Sequence, residues 1–587
     1  MTSRRTARGP ALARRSLLAG AGLGALSLAA CTEDPPEGIQ SPPEEDAPED
    51  GGATEDEGAP VVELVEYSGT SRGPTVWAVR YDLPEDAEAP PLYSAATQAA
   101  RHEALQAKKA EQEWTLEDPL LVLDPYGTTR TGLYVHFTGA EEGGTLTATA
   151  TAAATPDFTR AIVDHGEDGA FEALVVALIP AAHNELVLQW TADGAAPREI
   201  TSALRSPVTA ADYSSQLAAE VPDPGAISPG LFALSGVSSH TNNTFLYDEH
   251  GAMRGEIAST DHPSHHLVVE DGRIVTTTGA RQISVIDHFG HAGTIIDLGE
   301  HLAHHDLEVD GDAVYVLTSR DGEDQVMDRV ARVDLASGAV EETVNLTELL
   351  SAYHELTHEQ EEVGGGSTAE GKDWIHLNSV DVTDGVMYVS ARETSTVIAL
   401  DGALSADEET TVRWMIGVEG LWEGTGHEEQ FLAPEGSPTV NAGQHSAIRI
   451  DDEALPEGQY YLEMFNNNYW HLSTRDTEDW EGLQPEGTSM SEKNGVSHAL
   501  RYLVDENAGT FTEADRVDLA YSSVVSNVQR LGEGTIADPF VANAGMSAVF
   551  TEHAADGTVL GTYRYDAPSM AYRVYKDSFE GFWYQPQ

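Results

Sequence analysis

Beyond about Pro222 the chain repeats itself, and a repeat constrains architecture more than any single motif does. Two units recur. In the first, a strand-like run enters a tight turn: His265-His266 leads to Asp271-Gly272, His304-His305 to Asp310-Gly311, and Asn378-Ser379 to Asp384-Gly385. Asp-Gly supplies the positive φ that a short hairpin needs. In the second unit an apolar strand ends in an acid and a short Gly-containing turn, at Asp248, Asp287, Asp334, Asp401, Asp505 and Glu552. The acids are separated by 39, 47, 67, 104 and 47 residues, which fits four-stranded units with two long insertions. The pattern predicts an all-β chain whose main part, residues 223–587, is a six-bladed β-propeller. Irregular, turn-rich β-structure is the alternative.

Residues 61–222 read differently. A stretch rich in Ala, Gln and Glu from Ser94 to Glu113 predicts a helix, and alternating runs follow at Gly132 to Thr138, Thr145 to Thr151, Leu174 to Ile179 and Glu185 to Trp190. Alternation of that kind predicts a small β-sandwich-like N-terminal domain. No catalytic grouping stands out in it.

The first 60 residues read as an address and a tether. Arg4, Arg5, Arg8, Arg14 and Arg15 precede an uncharged run from Ser16 to Ala30, about 15 residues long and short of a bilayer span. Residues 1–30 are therefore expected to be a cleaved signal peptide, with Arg14-Arg15-Ser16-Leu17-Leu18 resembling a twin-arginine signal. Leu28-Ala29-Ala30-Cys31 resembles a lipobox, and Cys31 is the chain's single cysteine, so lipidation there and an extracytoplasmic, membrane-anchored location are the expectation. One cysteine also excludes an internal disulfide and a Cys-based metal site. Within residues 31–60, Thr32 to Gly58 hold eleven acids and no Lys or Arg, a composition that predicts a disordered tether. Removing the five signal arginines leaves 32 − 5 = 27 basic against 98 acidic residues, 27 − 98 = −71 for the mature chain. Such a charge makes nucleic acid and anionic headgroups poor partners.

A propeller brings equivalent positions of successive blades to one central channel. His305 and Ser379 each lie six residues before a turn glycine, so His265/His266, His304/His305 and His376/Asn378 are expected at a common mouth. His445 begins the next such strand, and the long gaps at about Thr347 to Lys372 and Val418 to Ala442 fall where loops can roof a site.

These residues resemble a family, the bacterial arylsulfate sulfotransferases that do not use phosphoadenosine phosphosulfate. The ordered series Trp374-Ile375-His376-Leu377-Asn378-Ser379-Val380, Tyr388-Val389-Ser390-Ala391-Arg392, Val397-Ile398-Ala399-Leu400-Asp401, Val412-Arg413-Trp414-Met415-Ile416-Gly417 and Gln444-His445 carries the resemblance, and Ala571-Tyr572-Arg573-Val574-Tyr575 looks like the family's end. It implies a six-bladed propeller and aryl-sulfate sulfotransferase activity, with His445 the transiently sulfated histidine and His376, Asn378, Arg392 and His305 completing the site. It implies an aryl sulfate donor, a phenolic acceptor, no cofactor, and a homodimer through the N-terminal domain. Some members carry a cysteine pair in the loop before the sulfated histidine, and this chain has none.

The residue types suit that chemistry. A neutral imidazole attacks sulfur without losing a proton and divides one ester exchange into two easier steps. Arg392 is a fixed, forked cation for sulfuryl oxygens. His376 or His305 can protonate the leaving phenolate and later take the acceptor's proton. Asn378 is read either as a donor to a sulfuryl oxygen or as an orienter of a histidine.

Two other readings compete. His354-Glu355-Leu356-Thr357-His358 matches the H-E-x-x-H zinc motif within an expected helical segment, Thr347 to Val363, although Glu361 and Gly364 break the extended form. A non-enzymatic binding propeller with a histidine-rich surface is the third.

Overall fold

The computed structural model describes residues 60–84, 87–139, 143–209, 216–236, 243–260, 266–359, 371–565 and 570–586. Cys31, the signal, almost all of the tether, His265, Glu361 and Gly364 lie outside the described residues. The protein is mostly β, built of small antiparallel-dominated sheets, none of which closes into a barrel.

The first two sheets make the N-terminal unit. One has the strand order Val62–Glu66, Val76–Tyr81, Leu120–Leu123, Leu133–Thr138, Ala170–Val175, and the other Thr70–Arg72, Arg198–Arg205, His183–Thr191, Thr145–Ala152, Phe158–Ile162. Strict alternation places them face to face: in Thr145–Ala152 the residues Leu146, Ala148 and Ala150 turn inward. They share a core with Leu121, Val135 and Phe171 of the facing sheet.

The expected helix forms over Ala95–Lys109, capped by Ser94, whose Oγ accepts from Thr97 N at 3.1 Å. It stops short of Glu113. The expected strand Leu174 to Ile179 is displaced, because the ladder covers Ala170–Val175. Val176 to Ile179 remain buried by leaving the sheet for the junction between units, where Val176 O accepts from Tyr584 Oη at 2.6 Å and Ala177 O from Arg254 Nη1 at 3.1 Å. An apolar run that is buried without a ladder looks in sequence like a strand.

Among the described residues six further sheets follow, five of them built on four antiparallel strands consecutive along the sheet, with the short strand Ala218–Glu220 preceding them in the chain. The second is Leu267–Glu270, Arg273–Gly279, Gln282–Asp287, Ala292–Asp297. The third is His301–Asp310, Ala313–Arg320, Arg329–Asp334, Val340–Asn345, and the fourth is Leu377–Thr383, Val386–Ala391, Thr396–Asp401, Thr411–Ile416. The fifth runs His445–Ile450, Gln459–Asn466, Ser497–Asp505, Thr510–Leu519. The sixth runs Asn527–Arg530, Phe540–Ala544, Val549–His553, Val559–Arg564, with Ala218–Glu220 added at its edge. The first sheet is made from both ends of this unit: the late strand Arg573–Asp577 pairs with Leu231–Ser235, Ser235 opposite Arg573. Thr244–Tyr247 and Met253–Ile257 complete it.

Every one of the six repeated acids lies at or next to the third strand of its sheet. The turn motif behaves as expected at Asp271-Gly272 and Asp384-Gly385, where both residues have positive φ. At the third copy it shifts by one, since Asp310 still pairs with Ala313 and the turn is Gly311-Asp312.

The insertions depart from expectation. Thr347 to Val363 holds only the short helices Leu346–Leu349 and Ser351–His354 among the described residues. The Val418 to Ala442 segment runs to the outer edge of the fifth sheet, where Ala433–Pro434 pairs in parallel with the strand Thr510–Leu519. A third long segment, residues 467–496, separates the second and third strands of that sheet.

Candidate active site

The first strands of the third, fourth and fifth sheets each break their ladder near the start, between Ala303 and Leu307, Leu377 and Ser379, and His445 and Ile448. His305, His376 and Ser446 have φ of 57°, 54° and 56°, a left-handed conformation that costs a non-glycine residue about 1–3 kcal/mol. Bulges of this kind re-aim side chains. Here they turn His305, His376 and His445 toward one region.

His445 is almost fully buried. Both of its hydrogen bonds use Nδ1, 2.8 Å from Asn467 Oδ1 and 3.1 Å from Gly443 O. Asn467 cannot present its other end, because Nδ2 donates to Ser522 O at 2.8 Å and Val525 O at 3.0 Å. The imidazole proton is thereby fixed on Nδ1, and Nε2 carries the lone pair. Burial, then the charges of Arg573 and Arg392, hold the ring well below its ordinary pKa, against the opposing pull of the Asn467 bond. His445 is neutral.

The backbone beside it is clamped by the fourth sheet, which a polar network ties to others. Asn378 Nδ2 donates to Gln444 O at 2.8 Å, and Gln444 Nε2 donates to Ser390 Oγ, Ala391 O and Thr396 O. Arg573 reaches Asn378 O at 2.6 Å and Asp306 Oδ2 at 3.3 Å, and Asp306 Oδ1 lies 3.2 Å from Nδ1 of His266. Asp306, Asn378, Gln444 and Arg573 thus join the first, third, fourth and fifth sheets. Asn378 Nδ2 is spent on the carbonyl that precedes His445, not on a histidine ring.

His376 Nδ1 is bonded to Asp373 Oδ2. Burial would raise the Asp373 carboxyl, but the His376 ring and Arg392 outweigh it and hold the group below its usual range. The rings of His376 and His305 lie 4.8 Å apart, and the Tyr572 ring is 5.1 Å from His305 and 6.3 Å from His445. His305 therefore faces the site, while His304 stands behind it with ring centroids 5.0 Å apart.

Arg392 follows the second strand of the fourth sheet, its N–H donating to His376 O at 3.1 Å. Its Nε is buried and bonded to no described residue. The nearest carboxylate is Glu393, whose Oε2 lies 3.6 Å from Nη2 while its Oε1 accepts from Thr474 N and Ser473 Oγ. A partly exposed guanidinium whose Nε has no partner among the described residues can receive an anion.

The structure therefore brings His445, His376, Arg392, His305 and Asn378 together. Sequence reading gave no role to Asn467, Asp373, Gln444, Tyr572 or Arg573. The run Asn466-Asn467-Asn468 at a strand end and the acid three residues before His376 were the available signals.

The zinc alternative is not supported. The helix ends at His354, and His358 turns away, its N–H donating to Thr474 O at 2.8 Å and its Nε2 lying 3.6 Å from Asp476. In the H-E-x-x-H arrangement the two histidines face one metal because a continuous helix puts them on one side, and that helix is lacking here. No group of three or more His, Cys, Asp or Glu suited to a metal occurs among the described residues.

The sequence pattern of the arylsulfotransferase (ASST) family matches residues 218–580. The chain belongs to that family. Membership makes it a sulfotransferase acting between small molecules, and the matched span contains all five expected site residues. No curated protein matches the chain. Solved structures similar to it include AztD from Citrobacter koseri, at 9% identity over 74% of this chain and 99% of that one with a TM-score of 0.27. BamB from Moraxella catarrhalis is similar at 10% identity over 72% and 98%, with a TM-score of 0.24.

Proposed function

We propose that the protein moves a sulfuryl group from an aryl sulfate ester to a phenolic acceptor through a covalent intermediate on His445. The observation that carries this reading is the single state in which His445 is held, neutral, with Nδ1–H on Asn467 and the lone pair on Nε2. In the first half-reaction the Nε2 pair forms a bond to sulfur as the bond from sulfur to the aryl oxygen breaks. The phenolate leaves with that electron pair and takes a proton from a flanking histidine. Because Nδ1 keeps its proton, the product is an N-sulfo imidazolium, whose departing group in the next step is again a neutral imidazole. In the second half-reaction a phenol loses its proton to a flanking histidine while its oxygen attacks sulfur, and His445 is restored.

Arg392 binds the sulfuryl oxygens, and Arg392 and Arg573 together oppose the charge that builds on the group in transit. His376, anchored through Asp373, and His305 carry the two proton movements. No metal, nucleotide or other cofactor enters the scheme.

The six sheets are read as six blades round one axis. Support comes from the late strand that completes the first sheet and from the bonds linking Asp306, Asn378, Gln444 and Arg573 across four sheets. From its first 60 residues the protein is further proposed to be exported and held at the membrane by lipid on Cys31.

Isotope exchange tests the mechanism. Incubated with 4-nitrophenyl sulfate and labelled 4-nitrophenol alone, the enzyme is expected to pass label into the ester, because the first half-reaction is reversible. Net transfer to a second phenol without any such exchange would mean direct transfer in a ternary complex.

A further inference from the structure

Each arginine whose charge reaches His445 is paired with a buried carboxylate of its own. Arg573 Nη2 lies 3.3 Å from Asp306 Oδ2, and Arg392 Nη2 lies 3.6 Å from Glu393 Oε2. The two pairs are built differently. Arg573 spends Nη2 on Asp306 and on the Asn378 carbonyl, and Nη1 on Tyr575 Oη. Between Arg392 and Glu393 the separation is too long for a hydrogen bond but short for two opposite charges. Glu393 therefore offsets the charge of Arg392 and leaves its N–H donors unspent.

Glu393 is held in that place by other groups. Its side chain is 3% exposed, and Oε1 accepts from Ser473 N, from Ser473 Oγ at 2.9 Å, from Thr474 N at 3.0 Å and from Thr474 Oγ1 at 3.3 Å. Four donors on one oxygen are the solvation of an anion. Ser473 and Thr474 belong to the long segment 467–496 of the fifth sheet, whereas Glu393 follows the second strand of the fourth. The carboxylate is thus fixed from across a sheet boundary and is not free to swing out of the field of Arg392.

A buried negative charge beside a binding cation sorts ligands by charge, not by shape. A sulfate monoester carries one negative charge. A phosphate monoester has nearly the same tetrahedral shape but carries close to two at neutral pH, its second pKa being about 6. An uncompensated arginine attracts the second charge, while one offset by a neighbouring carboxylate offers hydrogen bonds with little surplus charge behind them. Such a site favours the singly charged ester and opposes the doubly charged one.

We infer that Glu393 is a specificity-determining residue that acts through its charge on Arg392, admitting singly charged sulfuryl esters and turning away doubly charged phosphoryl esters of the same shape. The inference deepens the sulfotransfer reading and rests on it for the ester that is admitted. At an effective dielectric constant of about 20, one further charge on the ligand within reach of Glu393 changes affinity by roughly tenfold or more.

Binding of two anions that cannot be transferred tests this apart from turnover. Benzenesulfonate carries one charge, and phenylphosphonate carries two at about pH 8.5, above the second ionisation of a phosphoryl group. Calorimetric titration of the full chain at that pH is expected to show the sulfonate bound at least about tenfold more tightly than the phosphonate. Glu393→Gln removes the charge but keeps an acceptor for Ser473 and Thr474. It should tighten both anions, the phosphonate by roughly tenfold more than the sulfonate, so that the preference shrinks or reverses. Glu393→Asp keeps the charge, and its preference should stay within about threefold of the unaltered protein's. A Glu393→Gln protein with an unchanged preference overturns the inference, because a carboxylate that only anchored Ser473 and Thr474 would shift both affinities alike. An unaltered protein that binds the phosphonate as well as the sulfonate, or that binds neither, overturns it too, whether or not Glu393→Gln folds. If the unaltered protein binds as expected but gives no burst from 4-nitrophenyl sulfate, the sulfohistidine reading fails and the charge selection by Glu393 stands.

Discussion

His445 opens one strand and Asn467 directly follows the end of the strand paired with it, and the 2.8 Å bond from His445 Nδ1 to Asn467 Oδ1 decides which imidazole nitrogen is left for chemistry. The bond is not incidental to local packing. Two backbone carbonyls hold the amide so that only its oxygen can face the ring.

Replacing Asn467 by Ala releases that choice. The tautomer with the proton on Nε2 becomes accessible, and formation of the sulfo-enzyme is expected to slow by roughly 100-fold, with the donor's KM little changed. Rapid quench of phenol release measures it. A loss smaller than about threefold would mean that Gly443 O alone holds the ring.

Arg392 makes its contribution through geometry as well as charge. Arg392→Lys keeps the cation but loses the fork, and the first half-reaction is expected to fall by about 100- to 1000-fold in kcat. A fall confined to KM would instead assign the residue to ground-state binding of the ester.

Much of this was legible in the sequence because its carriers are periodic. The six acids mark the third strands, and Asp-Gly marks the turns, since both are dictated by local backbone geometry. His305, His376 and His445 stood out by sharing a register. What escaped is non-periodic: Asn467 lies in a long loop, and its role depends on Ser522 and Val525, which come from another part of the chain. Arg573 acts on Asn378 across 195 positions of sequence. Of the helix expected over Thr347 to Val363, the described residues keep only short pieces up to His354: composition favours helix beyond it, whereas His358 N–H finds its partner at Thr474 O.

The acid side of the first half-reaction reports on His445 directly. Its folded pKa is well below the ordinary imidazole value, owing to burial and then to Arg573 and Arg392, so the ring stays an active nucleophile as pH falls through 6.5. With 4-nitrophenyl sulfate, single-turnover phenol release should therefore stay level from about pH 8 to about pH 6. An inflection near 6.5 would assign an ordinary, hydrated histidine to the step.

A second group of histidines lies between the N-terminal unit and the second sheet, where the rings of His165 and His288 stack at 3.5 Å and those of His102 and His291 lie 5.3 Å apart. Burial first, and then His165, push the His288 pKa down to about 4. A base with a depressed folded pKa contributes stability that is complete above the unfolded value near 6.5 and is lost as pH falls toward 4. His288→Phe keeps a ring and removes the proton site. Between about pH 7.5 and about pH 4.5 its unfolding free energy should gain on the unaltered protein by on the order of 1 kcal/mol, allowing for solvent screening at this half-exposed site. Urea denaturation at the two pH values checks this, and a difference independent of pH would contradict it.

The central claim is that sulfur passes through a bond to His445, and the intermediate itself is the most direct thing to measure. Enzyme mixed with excess 4-nitrophenyl sulfate and no acceptor should release one equivalent of phenol in a burst. Intact-protein mass should then rise by one sulfo group, which peptide mapping places on His445, and addition of a phenol should remove the group as a new aryl sulfate. His445→Asn should show neither burst nor adduct while remaining folded. An adduct on His376 or His305, or steady transfer by the His445→Asn protein, would contradict the account.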